Sequence, residues 1–186
     1  MSQARFLTGR LLLAMPGIGD PRFEHAVIAM CAHDENGAIG VGVGHVLEGI
    51  GLHKLMEQLG LDIGSAPDVA VHYGGPVEPA RGFVLHSLDW AGEGTAQAAD
   101  RWALTGTMDV LKAIGEGRGP TRWLVALGYA GWGEGQLDDE MHRHGWHVAD
   151  GTDDLVFAVP AQERWTRAFH GDGIDPRLLS SASGNA

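Results

Sequence analysis

Apolar and polar positions along this chain alternate in short blocks, most of them the length of a strand. Residues 11–15 form an apolar run stopped by Pro16, Gly17 and Gly19, which predicts a strand and a turn. Asp20-Pro21 opens another turn, and residues 25–32 read as a second strand. Asp34-Glu-Asn-Gly37 then predicts a hairpin, because Asn-Gly suits the φ > 0 geometry of a type I′ turn. Residues 38–46 return as a third strand. Gly40, Gly42 and Gly44 alternate within it, so one face is bare and a helix or a ligand is expected to pack on the backbone.

Further along, Leu52, Leu55, Met56 and Leu59 recur at helical spacing and predict an amphipathic helix ended by Gly60. Residues 69–73 and 83–88 read as strands, the first closed by Gly74-Gly75-Pro76. The small, polar residues 91–99 predict a long surface loop. Residues 102–105 form a short strand, after which Thr107 is placed to cap a helix carrying Val110, Leu111 and Ile114. Residues 123–127 are continuously apolar, the pattern of a central strand buried on both faces. A glycine-rich turn follows, then a short helix over 136–143. Residues 146–149 and 155–159 read as strands. Residues 161–170 read as a helix with Trp165 and Phe169 as core anchors at i, i+4. Residues 180–186 read as a frayed tail. Strands fall in groups with three or four helices inserted, without βαβ alternation. The pattern predicts one α+β domain, residues 1–186, with a mixed, largely antiparallel sheet.

Composition adds one oddity and several exclusions. The 186 residues are 44% hydrophobic and 20% charged, enough to bury a core without staples. Glycine is the outlier, at 29 residues, roughly twice the usual share of about 7%. A formal charge of −11, with no run of Lys or Arg, opposes non-specific nucleic-acid binding. The N-terminal apolar stretch is too short for a signal peptide, and no stretch approaches a membrane span, so a cytoplasmic protein is expected. Cys31 is the single cysteine, set in an apolar run where it reads as a small buried hydrophobe rather than a reactive thiol.

Six motifs occur in order: Ala14-Met-Pro16, Asp20-Pro-Arg-Phe23, Gly74-Gly-Pro-Val77, Gly82-Phe-Val-Leu-His86, Gly128-Tyr-Ala-Gly-Trp-Gly-Glu-Gly-Gln-Leu137 and Arg164-Trp165. Together they resemble the YqgE/AlgH family of bacterial proteins over nearly the whole chain. The resemblance implies a complex α+β domain whose bifurcated sheet forms a pseudo-barrel flanked by helices. It also implies a regulatory role, proposed for the family in transcription of alginate genes, and no catalytic residue or cofactor. One departure is Gly44-His45-Val46, where relatives carry Asn-Arg/Lys-Pro. A function resting on that basic position does not carry over.

Candidate chemistry centres on the glycine turn. Gly131, Gly133 and Gly135 precede a helix starting near Gln136, an arrangement able to present backbone N–H groups to an anion. Asp138, Asp139 and Glu140 already occupy the positive helix end, and no Lys-Ser/Thr follows, so the competing reading is a tight turn beneath Trp132. Gly74, Gly75, Tyr129, Gly131, Trp132, Gly133, Gly135 and Gln136 form the expected ligand- or partner-binding set. His33 and His86 each end an apolar run and are candidates, with Asp20, for acid–base work; the competing reading is an imidazole satisfied by a turn backbone. His142, His144 and His147 lack the spacing to share a metal, and no metal or cofactor is expected. Six tryptophans read as core or interface anchors. The resulting expectation is a non-enzymatic regulatory protein with a ligand or partner groove near the glycine turn. The alternative is a hydrolase-like enzyme using His33 or His86 with a carboxylate. Direct DNA reading is disfavoured by charge and by the lack of a basic helix-turn-helix.

Overall fold

The computed structural model describes residues 6–17 and 20–183. Ten strands and six α-helices alternate irregularly: β1 (Leu11–Ala14), β2 (Val27–Asp34), β3 (Gly37–Gly42), β4 (Val46–Gly51), α1 (Leu52–Gln58), β5 (Ala70–Tyr73), β6 (Val77–His86), β7 (Thr95–Ala98), β8 (Trp102–Thr105), α2 (Asp109–Gly115), β9 (Trp123–Trp132), α3 (Gln136–His142), β10 (Trp146–Ala149), α4 (Asp153–Phe157), α5 (Ala161–Gly171) and α6 (Pro176–Ser183). The strands form one sheet in the order β10-β1-β2-β3-β9-β6-β8-β7, with β5 joining β9 and β4 joining β5. Every described pair is antiparallel except β5 with β9. The α+β reading therefore holds.

The sheet forks along β9. Its first half, through Val125 and Leu127, runs between β5 and β6. Its second half, Ala130 to Trp132, runs beside β3. One side of β9 thus exchanges β5 for β3, and the crossing is made by glycine backbone. Gly74 donates its N–H to the Leu127 carbonyl at 2.8 Å and accepts from the Gly42 N–H at 2.7 Å. A Cβ on Gly74 would lie 2.1 Å from the Gly128 carbonyl oxygen, and one on Gly128 (φ +78°) 2.3 Å from that of Gly75. Only chains without side chains approach this closely. The bare face of β3 is explained in the same way. A Cβ on Gly42 would sit 2.6 Å from the Tyr73 carbonyl, so there the strand packs on neighbouring backbone, and one on Gly40 would sit 2.5 Å from the Ile28 side chain.

The two ends of the strand path share a core of Leu11, Trp102, Val156, Phe169 and neighbours. Arg101, in the β7–β8 turn, spans between them: it donates to the carbonyls of Gly9 at 3.1 Å and Asp150 at 3.0 Å. A second cluster around Trp132, Leu137 and Trp146 lies under α3. A third lies under α1 and α2, built on Leu52, Met56, Val71 and Val110.

Several local expectations are corrected. The 34–37 hairpin forms, but Glu35 and Asn36 both have negative φ, so its turn is not type I′; the Asp34 carboxylate instead accepts from the Asn36 N–H at 2.8 Å. The third strand stops at Gly42 and β4 begins separately at Val46. Within the 91–99 loop lies β7, paired with β8 through Thr95↔Thr105 to Ala98↔Trp102. The glycine-rich segment is strand as far as Trp132, and only Gly133-Glu134-Gly135 turn. β9 is buried throughout only at Leu124, Val125 and Ala126. Residues 155–159 are not a strand: Thr152 caps α4 by accepting from the Leu155 N–H, and the Leu155–Val156 pair is buried by a helix. Thr107 does not cap α2; Met108 holds that position, and the Thr107 hydroxyl bonds the Asp109 carboxylate. The backbone of 180–183, read as frayed, continues α6; residues 184–186 lie outside the described part.

Candidate functional site

The Gly133–Gly135 turn delivers α3 against the end of β9, and one carboxylate organises the junction. Glu140 Oε1 accepts from the indole N–H of Trp132 at 3.1 Å and of Trp146 at 2.9 Å. Its Oε2 accepts from the Gln136 amide at 3.1 Å, while Gln136 Oε1 accepts from the Gly133 N–H at 3.0 Å. The two indoles meet edge to face with centroids 6.1 Å apart. Gly135 is the helix N-cap in the left-handed region (φ +72°), and the Gln136 side chain takes one of the turn's amides. An anion-binding loop needs those amides open. Here Gln136 takes the Gly133 amide, and Glu140 holds the Gln136 side chain in place.

Other members of the expected binding set lie apart from any opening beside this turn. Gly74 and Gly75 face the backbone of Gly128 and Tyr129 at the fork. Tyr129 packs edge to face on Phe83. Trp132 is buried, with Gly131 and Gly133 exposed on either side of it. Of the set, Gln136 lines a groove of about 340 Å³, with Met15, Asp20, Glu140, Arg143, His144 and Trp146, while Gly74 and Gly75 line a separate, much smaller pocket with Phe23, Gly42 and Tyr73. The groove has two carboxylates beside the Arg143 cation, with Phe23 and Trp146 as apolar floor. Its described lining holds no hydroxyl or thiol nucleophile. Glu140, absent from the expected set, is its structural centre; its signal was an acidic residue one turn beyond Gln136 on the same helix face.

The two histidines do not converge. His86 is fully buried. Its Nδ1 bonds the Ser87 carbonyl at 2.8 Å, so that nitrogen carries the proton and Nε2 accepts from the Thr105 hydroxyl at 2.7 Å. Thr105 Oγ1 lies 2.7 Å from the Thr95 hydroxyl, which accepts from the Gly92 N–H. The chain of bonds runs one way and holds a neutral imidazole; burial also lowers the pKa of His86. His33 accepts from the Leu7 N–H through Nδ1 at 3.0 Å, which turns Nε2–H toward Asp138 at 3.9 Å. In both rings the basic lone pair is taken by the protein. Asp20 sits in the groove, whose lining includes neither histidine. Of the 142/144/147 trio, His147 stacks on Phe169 and bonds Asp172 at 2.8 Å. Among the described residues no three His, Cys, Asp or Glu side chains gather as a metal site.

A buried pair was missed by sequence reading. Arg164 and His72 are each 6% exposed. Arg164 Nη1 donates to His72 Nε2 and to the Val43 carbonyl, both at 2.8 Å, and Nε donates to the Val159 carbonyl at 2.8 Å. His72 Nδ1 bonds the Val125 carbonyl at 3.1 Å. Burial, then the neighbouring guanidinium, push His72 down to about 4. Burial lowers Arg164 to about 10, which leaves it charged at neutral pH. A signal existed: Ala161, Arg164, Trp165 and Ala168 share one helical stripe, so an arginine sits where α5 faces inward.

A family model described as AlgH-like matches residues 11–177. A UPF0301 protein of Rhizorhabdus wittichii is 65% identical over 97% of this chain and 97% of its own length. Another, from Novosphingobium aromaticivorans, is 60% identical over the whole of both chains. The solution structure of the AlgH protein from Pseudomonas aeruginosa is similar at a TM-score of 0.79 and 34% identity, covering 94% of this chain and 93% of that one. A Corynebacterium diphtheriae protein shares the fold, with a TM-score of 0.74 at 19% identity over 94% and 91%.

Proposed function

The chain belongs to the AlgH-like family, and from that premise we propose a non-enzymatic regulatory protein that binds a ligand or protein partner in the groove beside α3. The observation that carries this reading is the Glu140 junction. It holds Trp146 and Gln136 in the groove wall, with the Trp132 indole bonded behind them, next to exposed Arg143 and His144 and the Asp20 segment. Mixed charge over an aromatic floor suits recognition of a polar surface. The hydrolase-like alternative needs an imidazole with an available lone pair, and His33 and His86 spend theirs on Leu7 and Thr105. Any effect on transcription runs through the partner, since a chain of net charge −11 is repelled by duplex phosphates. We place the action in the cytoplasm; among the described residues no helix is long and apolar enough to cross a membrane.

The test is complementation in a host lacking the gene. Arg143→Glu reverses the charge of the groove's exposed arginine. The variant is expected to keep its Tm within about 3 °C, because substitutions away from packed features change stability little. It is also expected to fail to restore the transcript profile of the wild type. Full restoration would show that the groove is not the working surface. A mobility shift of duplex DNA at low salt by the wild-type protein would overturn the indirect route.

A further inference from the structure

A second cavity lies apart from the groove by α3. It measures about 590 Å³, shares no lining residue with that groove, and opens between β5, the start of β9, α4 and the first turn of α5. Arg164 forms part of its wall. A buried guanidinium costs several kcal/mol unless it is paired and hydrogen-bonded. Here every partner of Arg164 is neutral: two carbonyls and an imidazole held unprotonated. The chain has 24 acidic residues, yet none forms an ion pair with this cation among the described residues. Nη2 has no hydrogen-bond partner among the described residues, and since no fully buried side-chain nitrogen or oxygen lacks one, Nη2 keeps some exposure in a side chain that forms part of the cavity wall.

Two further features point the same way. α5 is an 11-residue helix whose first residues, Ala161 and Gln162, line the cavity, and no side chain caps its N-terminus. Its opening amides add positive potential beside the guanidinium. The remaining walls are largely apolar, through Val46, Val69, Trp123 and Phe157. The charge count limits the ligand. The second arginine at the rim, Arg122, is already paired with Asp154 at 2.6 Å. One uncompensated positive charge therefore remains beside the α5 amides, which matches a single negative charge better than a dianion.

We propose that this cavity is a binding site for a small monocarboxylic acid, its carboxylate on Arg164 Nη2 and the α5 N-terminus and its apolar body against Trp123 and Phe157. The site is independent of the groove reading. In it the ligand completes an ion pair that the fold leaves half built, so binding stabilises the β5–β9–α5 junction.

The probe is 4-phenylbutyrate, compared with its neutral amide and with inorganic phosphate. Binding is followed by NMR at the Arg164 side-chain Nε–H and the Ala161 and Gln162 amides. The carboxylate is expected to give saturable shifts at these three positions and at least tenfold tighter binding than either comparator. Equal binding of acid and amide, or no saturation by 20 mM, overturns the proposal. Tighter binding of phosphate overturns the monocarboxylate assignment. Arg164→Met is expected to abolish the response. Should it fail to fold, Ala158→Trp serves instead: Ala158 is exposed at the cavity wall and touches none of the Arg164 bonds. This variant is expected to weaken binding at least tenfold, and unchanged binding would place the ligand elsewhere. Restoration of function by the groove variant leaves all these outcomes intact, so the two readings fail separately.

Discussion

At the scale of single residues, the buried imidazoles and the thiol make the sharpest predictions. His72 titrates near 4 in the folded chain and near 6.5 when unfolded. Between those values the unfolded chain holds a proton that the native state does not. Stability is therefore complete above about pH 6.5 and falls as pH drops through the window toward 4. The linked loss from this one residue is up to about 3 kcal/mol. Urea unfolding at pH 7.5, 5.5 and 4.5 should show this slope, and His72→Gln should flatten it; an unchanged slope in the variant would assign it to other groups. Cys31 offers a second check. It is half-buried as a residue, but burial pushes its thiol up to about 12, and Sγ rests 3.5 Å from the Ala29 carbonyl. Native-state alkylation at pH 8 should be roughly a hundredfold slower than after unfolding, because the thiolate is the nucleophile. The sequence reads Cys31 as a small buried hydrophobe; it does pack against the core, but as a half-buried residue. The sequence left His72 unremarked, since one polar residue in a four-residue strand reveals nothing about an arginine 92 positions later.

At the scale of elements, the glycines separate into those the backbone requires and those it tolerates. Gly74→Ala and Gly128→Ala would drive a methyl into carbonyl oxygens at 2.1 and 2.3 Å. Each should cost more than about 3 kcal/mol or prevent folding. Gly131→Ala meets the Tyr129 ring at 3.5 Å and a Val77 methyl at 3.8 Å, ordinary contacts, and should stay within about 1 kcal/mol. Similar losses at all three positions in urea unfolding would contradict the fork as the reason for the motif. Thr152→Ala removes the α4 cap and should cost about 1 kcal/mol. That helix escaped a reading based on runs of apolar residues, because Leu155-Val-Phe-Ala-Val159 has the composition of a strand. The cap at Thr152 and the acidic first turn at Asp153 and Asp154 carried the correct signal. β7 escaped for the opposite reason: Thr95 to Ala98 is small and polar, and only pairing with β8 makes it a strand.

At the scale of the whole molecule, the strand path is held together at its ends by a side chain. Arg101 links the β7–β8 turn to Gly9 and Asp150 and lies 4.7 Å over the Trp102 ring. Arg101→Gln should lower stability by about 1–3 kcal/mol. It should also speed amide exchange in β7 and β10 more than in β9, and uniform acceleration would mean that no such closure exists. The same long-range logic governs the candidate sites. Asp20 and Glu140 share a groove, and His72 and Arg164 share a cavity wall, although each pair is far apart in sequence.

The sequence by itself determined the class of fold, most of the strands, the helices with clear periodicity, and the family, because these depend on local spacing and on glycine at fixed positions. It also showed Gly128 to Leu137 as the defining segment. Only the tertiary structure decided what that segment does. The glycines it meets, Gly74 and Gly75, lie more than fifty residues earlier in the chain, so the crossing of β3, β5 and β9 at Gly74 and Gly128 has no local signature. The same holds for charge. Whether Arg164 has a counter-ion depends on which carboxylates the fold brings near it, and the fold brings none of those described.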